Sequence, residues 1–434
     1  MINCHELNGE FNKNGLKLEN FHEIETCLNN NFAKLHEFPA QVIILIINEY
    51  GKKIARNRDL LRMEGVPFLC FYLKKMNIEK QLKLNLENIE YLDHFVQVED
   101  EKYIKAQPKG IVCHWMAGNV PTLGIYSVLQ SILCKNSNIL RVSKESVIAV
   151  YELLRPLDNI KIEYEGNTYS SKIILKNIAL IYFNSEDKDL NSQMSLKADA
   201  RIVWGSKIAV DSITLLPKKT TCKDLIFGPK YSFAVFDKSA IESDDIEEYL
   251  ENLVTDIIAF NQKGCSSPQV LFVEKSKLPI ESIAQMLSLK FEKITKRYTN
   301  LDLEEAIVAK IINKRGEYLL SLNKLAYISN GLKYTILIDS ELKLEEAITG
   351  RTIFIKEVED ILVVCPLITK NIQTVGIASK DNKRTLEFAD RVTTLGVDRV
   401  VKIGYMNFYD SPWDGCLIMS ELVRWCTLNI KGMM

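Results

Sequence analysis

The feature that most constrains the fold is an alternation, from about Pro108 onward, of short apolar runs with helix-length segments. Each run suits a buried strand, and strands separated by helices form parallel sheets because a parallel pair needs a crossover connection. The sequence therefore predicts an α/β fold rather than a barrel of hairpins. The first predicted strands are 110–114, 139–142, 178–183 and 201–204, with a helix over 127–133 that starts near Pro121 or Thr122.

A second α/β block is predicted to begin near residue 230. Its helix, 244–260, has an acidic first turn that suits the helix dipole, and Gly264 is its expected stop. The predicted strands of this block are 232–236, 270–274, 335–339, 353–357 and 361–367. Residues 1–105 interleave Leu, Ile and Lys with few Gly or Pro, which predicts a mainly helical region with a buried helix over 42–47, bounded by Pro39 and Gly51.

Charge and hydropathy exclude several classes of protein. The net charge of −1 argues against a nucleic-acid partner, because phosphate binding needs a basic excess. No apolar run approaches the roughly 20 residues needed to span a bilayer. The N-terminus lacks the basic start and apolar core of a signal peptide. We therefore expect a cytoplasmic protein with no membrane span.

Ten cysteines are present, and none forms a C-x-x-C pair or a His/Cys cluster with zinc-ligand spacing. We expect no metal site, and most of these cysteines should be buried small hydrophobes. Cys265 differs, because its loop, 261–269, is polar and joins a helix to a strand, where a reactive thiol belongs. An ordinary loop cysteine is the alternative. A thiol after a helix also needs activation from backbone N–H groups or other neighbours.

Three further patches lie where predicted strands end. The first contains Ala117, Gly118 and Asn119, and an amide there can donate to an oxyanion, although a turn or helix cap would look similar. The second pairs Arg141 with Ser143, which could hold ribose or phosphate oxygens or could simply be a surface strand end. The third is a strand-to-turn segment with small residues that a pyrophosphate could approach, or a plain turn: Trp204, Gly205 and Ser206. No G-x-G-x-x-G fingerprint accompanies them.

Taken in order, these patches resemble the aldehyde dehydrogenase superfamily. Asn119 matches the Asn of its N-x-P loop, Arg141 the cofactor-binding Lys of its K-P-S strand end, and Cys265 its nucleophile. Gly205-Ser206 matches its G-S turn, and the segment 227–230 resembles its L-G-G-K. Within the superfamily the chain is most similar to the LuxC-like acyl-CoA reductases of bacterial bioluminescence, through the A-G-N-V-P loop, the W-G pair, the C-S-S-P-Q loop and the endings G-V-D-R and W-D-G. The resemblance covers about residues 105–425.

The resemblance implies an aldehyde dehydrogenase-like α/β fold with a Rossmann-like cofactor domain and an α/β catalytic domain. It implies a helical region, 1–105, packed on a nicotinamide cofactor-binding domain, 106–230. A catalytic domain, 231–395, would follow, with a segment, 396–434, returning to the cofactor domain. Ala117, Gly118, Arg141, Ser143, Trp204, Gly205 and Ser206 would then bind the cofactor, with Cys265 and Asn119 as the catalytic residues.

One departure from the superfamily indicates the reaction. Hydrolytic aldehyde dehydrogenases carry a water-activating Glu two residues before the G-G-K, where this chain has Ile226. Without that base a thioester on Cys265 should persist long enough to be reduced. Arg141 stands where the superfamily has Lys, and because the two side chains differ in shape and hydrogen bonding, the resemblance does not define how the cofactor is bound there. The sequence offers no clear counterpart of the superfamily's second, nicotinamide-side Glu.

Resemblance to LuxC-like proteins implies reduction of a fatty acyl-CoA or acyl-protein thioester to an aldehyde, with NADPH, or alternatively NADH, as reductant. It also implies an acyl-protein synthetase partner, and we expect a homo-oligomer. The alternatives are a reductase of an acyl phosphate or a small acyl-CoA in the same superfamily, and a non-catalytic subunit that binds a partner enzyme. His114 and Trp115 are expected to serve packing, and the role of the segment 413–415 stays open.

Overall fold

Residues 1–118, 120–296 and 303–431 are described by a computed structural model of the chain. They divide into two units. The first contains Met1–Gly228 together with the segment that begins at Tyr409, and the second contains Pro229–Phe408. Asn119, one of the two predicted catalytic residues, lies outside the described residues.

The strands, in chain order, are β1 (Ile2–Leu7), β2 (Glu10–Leu18), β3 (Val96–Glu99), β4 (Lys102–Pro108), β5 (Ile111–Trp115), β6 (Ser137–Arg141), β7 (Lys161–Tyr164), β8 (Asn167–Ser170), β9 (Ile178–Tyr182), β10 (Ala200–Trp204), β11 (Lys223–Phe227), β12 (Tyr231–Phe236), β13 (Val270–Glu274), β14 (Leu325–Ile328), β15 (Thr335–Ile338), β16 (Thr352–Val358), β17 (Ile372–Ala378), β18 (Arg399–Lys402) and β19 (Val423–Asn429).

The α-helices are α1 (His22–His36), α2 (Ala40–Arg56), α3 (Arg58–Leu61), α4 (Val66–Tyr72), α5 (Lys75–Leu86), α6 (Pro121–Leu133), α7 (Val147–Leu154), α8 (Lys172–Leu175), α9 (Lys188–Lys197), α10 (Lys207–Thr214), α11 (Lys238–Ile241), α12 (Ile246–Ile258), α13 (Ile280–Thr295), α14 (Glu305–Leu319), α15 (Asn382–Leu395) and α16 (Ile418–Glu421). Short 3-10 helices cover Ile89–Leu92, Arg155–Leu157, Ala259–Gln262 and Ile361–Leu367. Among the described helices, none combines the length and the apolar character needed to cross a bilayer.

The main sheet of the first unit has the strand order β11-β10-β5-β6-β9-β1-β2. The five strands from β11 to β9 run parallel, whereas β1 runs antiparallel to both β9 and β2. The chain passes from β5 through β6 to β9 on one side, and then places β10 and β11 on the other side of β5. The order therefore reverses between β5 and β10, and doubly wound sheets bind ligands in the crevice beyond such a pair of strand ends.

The predicted parallel α/β architecture is confirmed in the second unit as well. Its sheet has the order β14-β15-β16-β13-β12-β17-β18, in which only β14 is antiparallel to its neighbour among the described strands. All residues of β13, β15 and β17 are buried, because helices and loops cover both faces of the sheet.

The N-terminal region differs from the predicted helical one at its start. Strands β1 and β2 form a hairpin before the helices begin, and β1 extends the parallel sheet by pairing with β9 through Cys4 and Ile181. Helix α2 contains the predicted buried run but continues through Gly51 to Arg56. A Cβ at Gly51 would lie 2.7 Å from the Cβ of Leu73, so this glycine allows a close approach to the chain beyond α4 rather than a helix stop.

The prediction of a strand over 361–367 is wrong. These residues form a 3-10 helix, whose first turn is capped by the Asp360 carboxylate accepting from the Leu362 N–H at 2.7 Å. Pro366 lacks the N–H that a central strand would need. The apolar composition was compatible with either structure, and β17, which the sequence analysis did not identify, lies between β12 and β18.

The helix predicted over 244–260 is α12, which is shorter at both ends, and Gly264 is not its stop. The helix ends at Ile258, and the following 3-10 turn contains left-handed residues. The return of the chain to the first unit begins at Tyr409 rather than at residue 396, because β18 adds to the sheet of the second unit. Beyond Tyr409, β19 pairs with β4 from Val423 to Asn429 in a small antiparallel sheet of the first unit.

Candidate active site

The carboxyl ends of the central strands of the first unit carry most of the predicted cofactor-binding residues. Trp115 ends β5 and lies opposite Arg141, which ends β6. On the other side of the reversal point, Trp204 ends β10 and lies opposite Phe227 of β11. The sheet register therefore aligns these residues along one edge, as expected for a site at the reversal point.

The loop after β5 packs directly against the loop after β6. Gly118 is exposed, and a Cβ at this position would lie 2.6 Å from Oγ of Ser143. Ser143 in turn lies 3.1 Å from the Ser146 hydroxyl and accepts from the Ser146 N–H. Gly118 is thus required by the close approach of the two loops, which the sequence alone does not reveal. Ala117, its neighbour, is half-buried.

Arg141 is a half-buried cation at the end of β6. Its guanidinium donates to the carbonyl oxygen of Phe183 at 3.1 Å and lies 5.4 Å from the centroid of the Phe183 ring. Within the described residues it has no carboxylate ion-pair partner, and its buried Nε has no acceptor. Burial lowers the pKa of this guanidinium from its usual value. A desolvated cation with unused donors suits an anionic ligand.

The third patch contains a pair of buried, stacked aromatic rings followed by a helix N-terminus. The rings of Trp204 and Phe227 stack with centroids 4.0 Å apart, and the buried Trp204 indole N–H has no acceptor among the described residues. Ser206 caps α10 by accepting from the Ala209 N–H. A Cβ at Gly205 would lie 3.0 Å from the Cβ of Ala209. A small residue before a helix N-terminus allows a phosphate to approach the backbone.

His114 and Trp115 are buried, in agreement with their expected packing role. The His114 ring lies between the Ser127 hydroxyl at 2.8 Å and the amide oxygen of Asn138 at 3.0 Å. Burial lowers the pKa of His114 to about 4, so the imidazole is neutral at pH 7. The Trp115 indole donates to Asn191 at 2.9 Å.

Cys265 lies in the second unit, in a tight turn at the amino ends of the strands of that unit. The Ser267 N–H donates to the Gly264 carbonyl at 3.0 Å, which closes the turn around Cys265 and Ser266. Cys265 is half-buried, whereas the two serines after it are buried. The expectation that most other cysteines are buried holds for Cys4, Cys113, Cys134 and Cys222 only, so burial alone does not distinguish Cys265.

The raised pKa of most cysteine thiols argues against a nucleophilic role for them. None of the ten, all of which are described, forms a disulfide. Burial raises the pKa of Cys4, Cys27, Cys70, Cys113, Cys134, Cys222, Cys365 and Cys416. For Cys416 the pKa reaches about 11. A thiol with a raised pKa carries little thiolate near neutral pH and is a poor nucleophile.

A left-handed segment leads into the turn. Phe260, Asn261 and Gln262 have φ values of 55°, 47° and 65°, a conformation that costs free energy for residues other than glycine. The Asn261 carbonyl accepts from the Gly350 N–H at 3.2 Å. The Gln262 amide group exchanges hydrogen bonds with the Thr352 backbone, at 2.7 and 2.8 Å. These contacts bind the strained backbone of residues 260–262 to the start of β16.

Two side chains that the sequence analysis missed hold the turn on its other sides. The Ser232 hydroxyl donates to the Cys265 carbonyl at 2.6 Å and accepts from the Thr374 N–H. The amide oxygen of Asn407 accepts from the Ser266 hydroxyl at 2.9 Å. Neither residue belongs to a recognisable motif, and Asn407 is 141 residues from Ser266 in sequence.

Asp256, on α12, binds the chain segment that carries Asn407. Its carboxylate accepts from the Gly404 N–H at 2.6 Å and from the Met406 N–H at 3.2 Å. Burial raises the pKa of this carboxyl to about 7, although the two N–H donors oppose that shift. The group fixes the reversal of the chain that follows β18.

A comparison with protein families matches residues 32–425 to the family described as acyl-CoA reductase (LuxC). The long-chain acyl-protein thioester reductase of Aliivibrio fischeri is 25% identical over 370 residues, covering 84% of this chain and 72% of the relative. The long-chain acyl-protein thioester reductase 2 of Photobacterium leiognathi is 24% identical over 397 residues, covering 87% of this chain and 76% of the relative.

Solved aldehyde dehydrogenase structures share the fold. Aldehyde dehydrogenase C of Pseudomonas syringae, solved with NAD+ and octanal, matches with a TM-score of 0.66 at 10% identity, covering 99% of this chain and 93% of that one. The 1-pyrroline-5-carboxylate dehydrogenase from Thermus with bound NAD matches with a TM-score of 0.65 at 12% identity, covering 100% and 90%. The predicted aldehyde dehydrogenase-like fold is thereby confirmed.

Proposed function

Because this chain belongs to the LuxC family of acyl-CoA reductases, we propose that it reduces an acyl thioester to an aldehyde through a covalent thioester on Cys265. The chain is thus an oxidoreductase with the aldehyde dehydrogenase fold. The observation that carries the proposal is the turn around Cys265, which three sets of hydrogen bonds hold at the amino ends of buried strands. A nucleophile held in a fixed position reduces the entropy cost of reaching the transition state.

In the first step the Cys265 sulfur attacks the carbonyl carbon of the incoming thioester. The new C–S bond forms as the bond to the donor thiol breaks, so the acyl group moves to Cys265 and the donor thiol leaves. The negative charge on the carbonyl oxygen would be stabilised by the Asn119 amide and the Cys265 backbone N–H. Asn119 has this role by resemblance, since it lies outside the described residues.

The second step converts the thioester on Cys265 to an aldehyde. Reduced nicotinamide, when bound, supplies a hydride for the thioester carbonyl. The resulting thiohemiacetal on Cys265 collapses, the C–S bond breaks, the aldehyde leaves and the Cys265 thiolate is restored. With Ile226 at the position of the hydrolytic Glu, no side chain there can activate water against the thioester.

The residues at the reversal point of the first unit fit a nicotinamide dinucleotide. Among the described residues the Trp204 indole N–H and the Arg141 Nε are buried donors without acceptors, and the exposed Gly118 follows β5 at the same edge of the sheet. Ala117, Gly205 and Ser206 would lie against the pyrophosphate, and Ser143 against ribose oxygens.

We infer NADPH rather than NADH from the charge at the end of β6. Arg141 lacks an ion-pair carboxylate within the described residues, and the exposed Lys144 lies three residues further along the chain. These two cations suit the phosphate that distinguishes NADPH, and they outnumber the carboxylate of Glu145, which lies close to Arg141 and Ser143. Binding of the two cofactors, measured by quenching of tryptophan fluorescence, tests this inference.

The acyl donor is proposed to be a fatty acyl-CoA or an acylated protein, in line with the names of the relatives from Aliivibrio fischeri and Photobacterium leiognathi. An acyl-protein synthetase would supply the acylated protein, and the enzyme would act as a homo-oligomer. A panel of acyl-CoA chain lengths together with an acyl phosphate separates this function from reduction of a small or phosphorylated acyl group. Binding of no nicotinamide cofactor would instead indicate a non-catalytic subunit.

Replacement of the proposed nucleophile tests the function. Cys265→Ala should remove both labelling by acyl-CoA and aldehyde formation, a loss on the order of a thousandfold or more in turnover. Cys365→Ala is a matched control, because Cys365 is also half-buried in the second unit. Turnover of Cys265→Ala near that of the control would contradict the proposal.

A further inference from the structure

The hydroxyl groups of Ser266 and Ser267, immediately after the proposed nucleophile, converge on one amide oxygen. Oδ1 of Asn407 accepts from Ser266 at 2.9 Å and from Ser267 at 3.3 Å. All three side chains are at most 5% exposed. The side chain of Asn407 therefore contacts both residues of the turn that follow Cys265.

The orientation of the Asn407 amide is fixed from its opposite side. Its Nδ2 donates to the backbone carbonyl of Asp256 at 2.7 Å, and a carbonyl can only accept. Oδ1 must therefore face the serines, which commits both hydroxyl protons to Asn407. Asn407 cannot rotate without losing these bonds inside a buried region, where an unmade bond is costly.

The backbone that carries Asn407 is held independently of the turn. The Asp256 carboxylate binds the N–H groups of Gly404 and Met406, and the Arg399 guanidinium donates to the carbonyl oxygens of Met406 and Phe408. Gly404 has a φ of 91° and lies against Asn252 of α12. Asn407 therefore acts as a fixed support rather than as a side chain that follows the turn.

Asn407 also lies close to the residue that precedes Cys265. A Cβ at Gly264 would lie 3.5 Å from Oδ1 of Asn407 and 3.2 Å from Oγ of Ser267. Asn407 thus contacts the two residues after Cys265 and lies close to the one before it. With the Cys265 carbonyl bound to Ser232, the backbone of the turn has defined contacts before, at and after the thiol.

We propose that Asn407 is a positioning residue for Cys265, acting through the hydroxyl groups of Ser266 and Ser267 to hold the N–H groups of the turn where they stabilise the thiolate and the oxyanion. This inference rests on the proposed role of Cys265 as nucleophile. A displacement of about 1 Å at a reacting group can cost about a hundredfold in rate, so loss of this support should lower catalysis more than binding.

The first test compares Asn407→Ala with the wild-type enzyme in acylation by a fatty acyl-CoA, followed as release of CoA. We expect the acylation rate constant to fall by about 10- to 100-fold, with KM and the binding of NADPH changed by less than about twofold. The pH at which alkylation of Cys265 by iodoacetamide is half-maximal should move upward, because fewer N–H groups stabilise the thiolate. Asn252→Ala is the matched control, since Asn252 lies next to Gly404 on the same helix face as Asp256 and, among the described residues, makes no hydrogen bond to the turn.

A double-mutant cycle then separates positioning from general stability. In a Ser266→Ala/Ser267→Ala background, adding Asn407→Ala should cost less than about threefold, because the groups through which it acts are gone. The same full loss in both backgrounds would overturn the proposal, as would a loss no larger than that of Asn252→Ala. If Asn407→Ala does not fold, the double serine variant alone must show the reduced acylation and the shifted alkylation profile. A double serine variant with wild-type values would likewise overturn it.

The alkylation profile also distinguishes failure of this inference from failure of the proposed function. Acylation that persists in Cys265→Ala would overturn the role of Cys265 as nucleophile, whatever the behaviour of the Asn407 variants. Alkylation of Cys265 would still report whether Asn407 positions its turn. An unchanged alkylation profile in Asn407→Ala, with Cys265→Ala inactive, overturns the positioning role alone.

Discussion

The ammonium group of Lys356 lies 2.6 Å from the carboxylate of Asp339 inside the second unit, and the two side chains are 1% and 5% exposed. Lys356 also binds the Glu345 carboxylate and the Glu341 carbonyl, both at 2.8 Å. The network ties the segment after β15 to β16, the strand whose start bonds to the left-handed residues before Cys265. Removing one partner of such a buried ion cluster leaves an uncompensated buried charge, which destabilises the folded protein.

Removing this cation should destabilise the second unit. Lys356→Met should lower the free energy of unfolding by about 3–5 kcal/mol, because two buried carboxylates lose their counter-charge. Urea unfolding at pH 7 measures the effect. Lys310→Met is the control, since the exposed Lys310–Glu346 pair should contribute no more than about 1 kcal/mol. Equal losses in the two variants would contradict the structural role of the network.

Substitution of Gly118 should weaken cofactor binding without unfolding the protein. In Gly118→Ala the new Cβ would lie 2.6 Å from Oγ and 3.1 Å from Cβ of Ser143, so Ser143 must shift. We expect the Kd for NADPH to rise by about tenfold, or about 1.4 kcal/mol. Gly124→Ala in α6 is the control, because its Cβ would have only ordinary contact with Leu140, at 3.7 Å. Unchanged NADPH binding in Gly118→Ala would remove this loop from the proposed site.

The buried His114 predicts a specific pH dependence of stability. Its pKa of about 4 in the folded protein lies below the ordinary value of 6.5, so between these pH values the unfolded chain binds a proton that the folded protein does not. The stabilisation is complete above about pH 6.5 and falls as pH drops towards 4, by up to about 1.4 kcal/mol per pH unit. Urea unfolding of the wild type and of His114→Asn across this range should show a smaller slope in the variant. Identical slopes would show that His114 does not cause the pH dependence of stability.

Much of the fold could be predicted because local pattern and tertiary environment agree. Strand β13 was predicted to the residue, since residues 270–273 form an uninterrupted apolar run and the whole strand is buried. Trp204 ends its strand because the Gly205-Ser206 pair that follows interrupts the apolar run. The pairing of β1 with β9 was missed, because it joins distant segments and leaves no local signal.

The contacts around Cys265 could not be predicted for a related reason. The left-handed residues Phe260 and Asn261 are not glycines, and only their bonds to the start of β16 stabilise that conformation. Asn407 belongs to the turn through hydrogen bonds alone, and a single asparagine far along the chain has no distinguishing pattern. The sequence could identify the thiol through its polar loop and through resemblance, but not the groups that hold it.

The residue at position 226 should decide the fate of the thioester. Ile226, on β11, is 37% exposed, so a carboxylate can be accommodated there. Ile226→Glu should introduce a general base and raise hydrolysis of acyl-CoA to free acid in the absence of NADPH by about a hundredfold. Ile226→Gln, with similar shape and no basic carboxylate, should not. Equal acid formation in the two variants would contradict the assignment of this position.

The central claim is the covalent thioester on Cys265, and intact-mass analysis tests it most directly. The enzyme is incubated with a fatty acyl-CoA without NADPH, the adduct is located by peptide mapping, and NADPH is then added. We predict a mass increase of one acyl group on the peptide containing Cys265, its absence from Cys265→Ala, and its loss on addition of NADPH as aldehyde appears. Aldehyde formation without an adduct at Cys265, or an adduct that NADPH does not discharge, would contradict the account.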